Sequence, residues 1–283
     1  MQTHRSVVAV LGLVVLTFHC GGGDDAATSS GSGGAAGSVG AAGASGSAGS
    51  AGASAATEFD DLSLKLTGMG VHVANVLEYR VVGNVDNVLR ARGFVQPLGA
   101  ADVTIDVKKV VPRDEKQKYR LDFYADVNSS GGFDGLDSVS TNDHAWRIPE
   151  LTASAGVVTV AFTHNIDFTD ISQYPKGTPA APVEVGAGVS IKIQKLGALV
   201  GKVLDLRVVD TATGHVTLAY RYTAASETTM QATGVIDTAR KYSLDVMADG
   251  TAMCVPGLDV SVGGVVATFD PSTASPGACQ TGP

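Results

Sequence analysis

Aromatic side chains make up only 6% of the 283 residues and charged ones 17%, with three cysteines and a single tryptophan. No Lys or Arg occurs between Ser6 and Leu64, and no basic stripe appears elsewhere in a chain of formal net charge −8. That excludes recognition of a nucleic-acid backbone, which requires clustered cations. No apolar run reaches the roughly twenty residues that a bilayer-spanning helix takes. The sequence has no zinc-helix motif, no nucleophile elbow in its folded part and no Cys–His pairing. A blue-copper centre is excluded as well, because Cys254 has no following histidine. No catalytic residue and no organic cofactor are assigned from the sequence.

Glycine is abundant, with 35 residues, and from Gly21 to Thr57 it crowds together with Ala and Ser. Such a tract has too little apolar surface to form a core, so residues 21–57 are expected to be a disordered linker with a mean reach of about 35 Å. About 226 residues remain, enough for two ordinary domains.

Before the linker, His4 and Arg5 precede an apolar run from Val7 to Phe18, the arrangement of a secretory signal. The run ends at Leu16-Thr17-Phe18-His19-Cys20, and Cys20 opens the Gly-rich tract. Residues 1–20 therefore resemble the signal peptide of a Gram-negative bacterial lipoprotein. The resemblance implies acylation of Cys20 and a lipid anchor in the outer membrane, at its periplasmic face or the cell surface. His19 stands where that family prefers a small residue, which leaves ordinary signal-peptidase cleavage or an uncleaved anchor as alternatives. With Cys20 acylated, Cys254 and Cys279 form an even pair in an export context, and a disulfide between them is expected. It would close a loop of about 25 residues around a Ser/Pro/Gly-rich tail. Two unpaired thiols are the alternative.

The chain also repeats itself. Leu64 to Val82 aligns with Ile191 to Val209 without a gap, at an offset of 127. Lys118 to Asp122 then matches Lys241 to Asp245, and Ala125-Asp126 matches Ala248-Asp249, at an offset of 123. Further on, Ile148-Pro149-Glu150-Leu151 matches Val255-Pro256-Gly257-Leu258, and Phe162 matches Phe269, at an offset of 107. Three ordered blocks indicate a duplicated module. Tyr119, Leu121, Phe123 and Ala125 alternate with Arg120, Asp122, Tyr124 and Asp126, the period of a half-buried strand, and no long stretch carries a 3.6-residue period. The expected fold class is all-β: two duplicated antiparallel, Ig-like β-sandwich modules after the linker. The first is assigned to 58–172 and the second to 189–283, joined by a connection over 173–188 that holds Pro175, Pro179 and Pro182.

The falling offset gives the first copy about 16 extra residues between Asp126 and Pro149. The insertion begins with oxygen-bearing side chains at Asp126, Asn128, Ser130, Asp134 and Asp137, with Gly131 at the sixth position and the Gly132 carbonyl at the seventh. This resembles the calcium loop of EF-hands and dockerins, and implies a structural calcium site at Asp126, Asn128, Ser130, Gly132, Asp134 and Asp137. With three carboxylates, affinity would lie at about 0.1–1 mM. The same residues also suit a solvated hairpin turn. The second copy keeps Asp249 alone of these ligands and is expected to bind no calcium.

After the insertion, Asp143, His144 and Trp146 lie close together, and His164 follows a later strand. These four form a possible ligand pocket or transition-metal site. The alternative places Trp146 in packing, with Asp143 and His144 bonded to loop backbone. His72 and His215 fall on presumed solvent faces and are read as surface residues. The combined expectation is a lipid-anchored envelope protein with a binding or structural role, calcium as its metal, and an envelope protein or a glycan as partner. An adhesive module using strand edges differs from this only in having a protein partner. The alternative from another class is a secreted carbohydrate-active or other hydrolase, sited near Asp143, His144, Trp146 and His164.

Overall fold

The structure is a computed structural model, described here for residues 58–114, 116–131, 143–166, 182–248, 251–258, 260–261 and 264–276. The first half contains β1 (Glu58–Thr67), β2 (Val76–Gly83), β3 (Leu89–Gln96), β4 (Val103–Arg113), β5 (Tyr119–Asp126), β6 (His144–Ile148), β7 (Ala153–Ser154) and β8 (Val157–Thr163). The second contains β9 (Ala187–Ile193), β10 (Val203–Asp210), β11 (Val216–Thr223), β12 (Thr228–Ile236), β13 (Tyr242–Ala248), β14 (Thr251–Leu258), β15 (Val260–Ser261) and β16 (Gly264–Phe269), with β17 (Ser275–Pro276) added at the end. No helix among the described residues is long and apolar enough to cross a membrane.

The second half repeats the pairings of the first. β1 lies between β4 and β8 as β9 lies between β12 and β16, and β2 lies between β3 and β5 as β10 lies between β11 and β13. In both copies the chain changes sheet after its sixth strand, so the last strand returns beside the first and runs parallel to it. The expected all-β sandwiches are therefore present as mixed sheets rather than purely antiparallel ones.

The inner sheets of the two copies form one sheet of nine strands, ordered β17-β14-β13-β10-β11-β3-β2-β5-β6. The seam is the parallel pairing of β3 with β11, from Arg92 opposite Leu218 to Gln96 opposite Tyr222. Because these equivalent strands run in the same direction, the rotation relating the copies lies along the strands and turns the sheet over. The two cores consequently occupy opposite faces. Leu77, Tyr79, Val81, Ala91 and Val95 join the first core, which also takes in Val209, Val216 and Ala219 from the second copy. Val82 and Leu89 in turn enter the second core.

Each half also reaches the outer sheet of the other. Arg92 Nη1 donates to the carbonyl oxygen of Thr233 at 2.9 Å, and Arg221 Nη1 donates to that of Thr104 at 2.9 Å. Phe59 stacks on His215 with ring centroids 4.3 Å apart, and His215 Nε2 lies 3.3 Å from the Val110 carbonyl. His215, expected on the surface, is half-buried in this contact, and desolvation there lowers its pKa to about 4. The end of the connection is structured too, since Val183 bridges to Val88 and Glu184 pairs with Arg92.

β5 departs from the expected half-buried pattern, because all eight of its residues are buried. Tyr119, Leu121, Phe123 and Ala125 face the core as anticipated. On the opposite face the ionic groups cover one another: Arg147 Nε donates to Asp122 at 2.6 Å, Arg120 pairs with Asp122 at 3.1 Å, and Tyr124 donates to Glu78 at 2.6 Å.

A candidate metal centre at one end of the first copy

Three histidines come together where β1, β5 and β8 end. β1 finishes at Thr67, and Gly68, with φ at 72°, turns the chain into a short 3-10 segment, Met69–His72, that carries His72 inward. Met69 N donates to the Ala101 carbonyl at 2.8 Å and fixes that segment. His164 follows β8 and donates its backbone N–H to the Thr67 carbonyl at 2.9 Å. His144 opens β6 opposite Ala125, and Trp146 lies opposite Phe123.

One ring nitrogen from each of His72, His144 and His164 lies within 4.8 Å of the others. His72 Nε2 and His164 Nε2 are 3.2 Å apart. His72 is 2% exposed and His164 8%, whereas His144 is exposed and forms the mouth of the cluster. The floor is Trp146, 3% exposed, stacked on Phe123 at 5.3 Å and tilted against Phe162 at 5.5 Å. Its ring centroid lies 5.4 Å from His72, 5.6 Å from His164 and 6.0 Å from His144. Burial first, and then the neighbouring His144 and His164, lower the His72 pKa to about 4, with Asn75 offsetting part of this. The His72 imidazole is therefore neutral at neutral pH, the form that ligates a metal.

Of the four residues expected to form a pocket, the structure brings His144, Trp146 and His164 together. Asp143 is fully buried, and its Oδ1 instead accepts the Val127 N–H at 2.9 Å, closing the base of the insertion. Trp146 is a packing residue and presents no exposed face on which a sugar could stack. His72 is the residue that sequence reasoning missed, since strand alternation placed it on the surface. The repeat carries a signal that would have found it, because His72, His144 and His164 stand where the second copy has Leu199, Thr251 and Pro271. All three histidines are special to one copy.

Of the expected calcium ligands, Asp126, Asn128 and Ser130 are described, while Gly132, Asp134 and Asp137 lie outside the described residues. Asp126 accepts the Ser130 N–H at 3.1 Å and the Gly131 N–H at 2.9 Å, and Asn128 Oδ1 accepts the Ser130 N–H at 2.9 Å. Gly131 has φ at 84°, the left-handed conformation anticipated for the sixth position. Cys254 is buried on β14 opposite Asp245, whereas Cys20 and Cys279 lie outside the described residues.

No protein-family model matches the chain, and no curated protein matches it. Among solved structures the chain is similar to the tip fimbrial protein Mfa3 from Porphyromonas gingivalis, at 11% identity and a TM-score of 0.24, covering 70% of this chain and 82% of that one. The fimbrial anchor protein Mfa2 from the same organism matches at 9% identity and a TM-score of 0.23, over 66% and 78% of the two chains. The shaft pilin spaA from Lactobacillus rhamnosus GG matches at 8% identity and a TM-score of 0.20, over 74% and 96%.

Proposed function

We propose that this is an exported, lipid-anchored envelope protein with a binding or structural role. In this reading Cys20 carries the lipid, residues 21–57 hold the folded body off the outer membrane, and the opposite end of the first copy meets a ligand or an envelope partner. One observation carries the reading. The chain enters the body at Glu58, and β1 runs ten residues from there to Thr67, beside which His164 is bonded. At about 3.3 Å per residue the anchored end and the histidine end lie about 30 Å apart. His72, Asp126, His144 and His164 all collect at the Thr67 end of β1, opposite Glu58. Calcium at the Asp126 loop would brace that end, and a Cys254–Cys279 disulfide would secure the C-terminal tail.

The anchor is tested by expressing the full chain in a Gram-negative host and partitioning it in Triton X-114, beside Cys20→Ser. The wild-type chain should enter the detergent phase and the variant the aqueous phase. Equal partitioning of the two would contradict the anchor.

A further inference from the structure

We infer that His72, His144 and His164 form a three-imidazole site for a borderline divalent transition ion, zinc(II) or copper(II), with a fourth position open to solvent or a ligand. Two nitrogens held about 2.0–2.1 Å from one tetrahedral ion are roughly 3.3 Å apart. His72 Nε2 and His164 Nε2 stand at 3.2 Å, and one nitrogen of each histidine lies within 4.8 Å of the others.

Imidazole is the donor that zinc and copper accept, whereas calcium and magnesium demand oxygen. The site is therefore chemically distinct from the Asp126 loop. Its rings are placed by the packing of three separate elements: the 3-10 segment after β1, the start of β6 and the turn after β8. The second copy supplies an internal contrast, because the equivalent positions hold Leu199, Thr251 and Pro271, with Met253 in place of Trp146. The second copy forms the same strand pairings without any of the three histidines. The exposed His144 leaves the ion reachable from solvent at the end of β1 opposite Glu58. The inference does not depend on how the chain is anchored.

Trp146 is the only tryptophan in the chain and lies within 6.0 Å of all three imidazoles by ring centroid, so it reports directly on an ion held there. The full chain is titrated with copper(II) while tryptophan emission is followed, and zinc(II), which does not quench by itself, is then added in competition. The expected result is saturable quenching at one ion per chain, reversed by zinc. His144→Thr, which installs the second-copy residue at an exposed position, should weaken the binding by more than about a hundredfold, since even outer-shell changes cost 10–100-fold. His72→Leu should act in the same direction, and His144→Thr decides the matter if His72→Leu fails to fold. Absence of quenching, or quenching of equal strength in folded His144→Thr, would overturn the inference.

Discussion

Gly93 shows how a single residue sets the packing of the inner sheet. It sits in β3 opposite Tyr79, and a Cβ built on it would lie 2.0 Å from the tyrosine ring. The missing side chain is the space that the buried Tyr79 ring fills, the use to which a strand interior puts glycine when another group must approach closely. Burial pushes the Tyr79 hydroxyl well above the ordinary tyrosine pKa, so it stays neutral. Gly93→Ala should therefore destabilise the chain by about 1–3 kcal/mol, as overpacking does, measured by denaturant unfolding. Unchanged stability would mean that the ring moves aside at no cost. At this scale the sequence was only partly legible. Trp146 was recognisable as a candidate for packing, but His72 was not recognisable as buried, because a two-residue alternation was extended past the point where β1 gives way to the 3-10 segment.

At the scale of elements, the strands of the repeat were the most legible feature. The offsets of 127, 123 and 107 place β2 over β10, β5 over β13 and β6 over β14, and the cross-strand partners agree, since Phe123 faces Trp146 as Val246 faces Met253. Burial of the polar face of β5 was not legible. It depends on Arg120, Asp122 and Arg147, which meet only after β6 has paired with β5. The connection between β5 and β6 is where the copies differ most, and the calcium reading belongs to it. Thermal unfolding of the full chain in several millimolar calcium, compared with EDTA, should show a rise of a few degrees. That is the scale expected for about 1–2 kcal/mol of linked binding at a site of roughly 0.1–1 mM affinity. Asp126→Ala should abolish the calcium-dependent rise, whatever its effect on the baseline. An identical melting temperature in calcium and EDTA for the wild-type chain would reduce the loop to an ordinary turn.

The whole molecule was the least legible. Duplication could be read from the sequence, but the joining of the two inner sheets could not, because the β3–β11 seam is a backbone ladder that constrains side chains only indirectly. Phe94 against Tyr220, stacked at 4.7 Å, and the reciprocal reach of Arg92 and Arg221 make sense only once the sheet is known to pass from one copy to the other. The seam makes the two copies one body, with each core completed by residues of the other half. Cooperative unfolding should follow from that sharing, since neither core is whole without the other copy. The most direct measurement is equilibrium denaturation followed simultaneously by Trp146 emission, which reports only on the first copy, and by far-ultraviolet circular dichroism, which reports on both. Coincident transitions with one midpoint are predicted. A second circular-dichroism transition, occurring while Trp146 remains native, would contradict a single body built on a shared sheet.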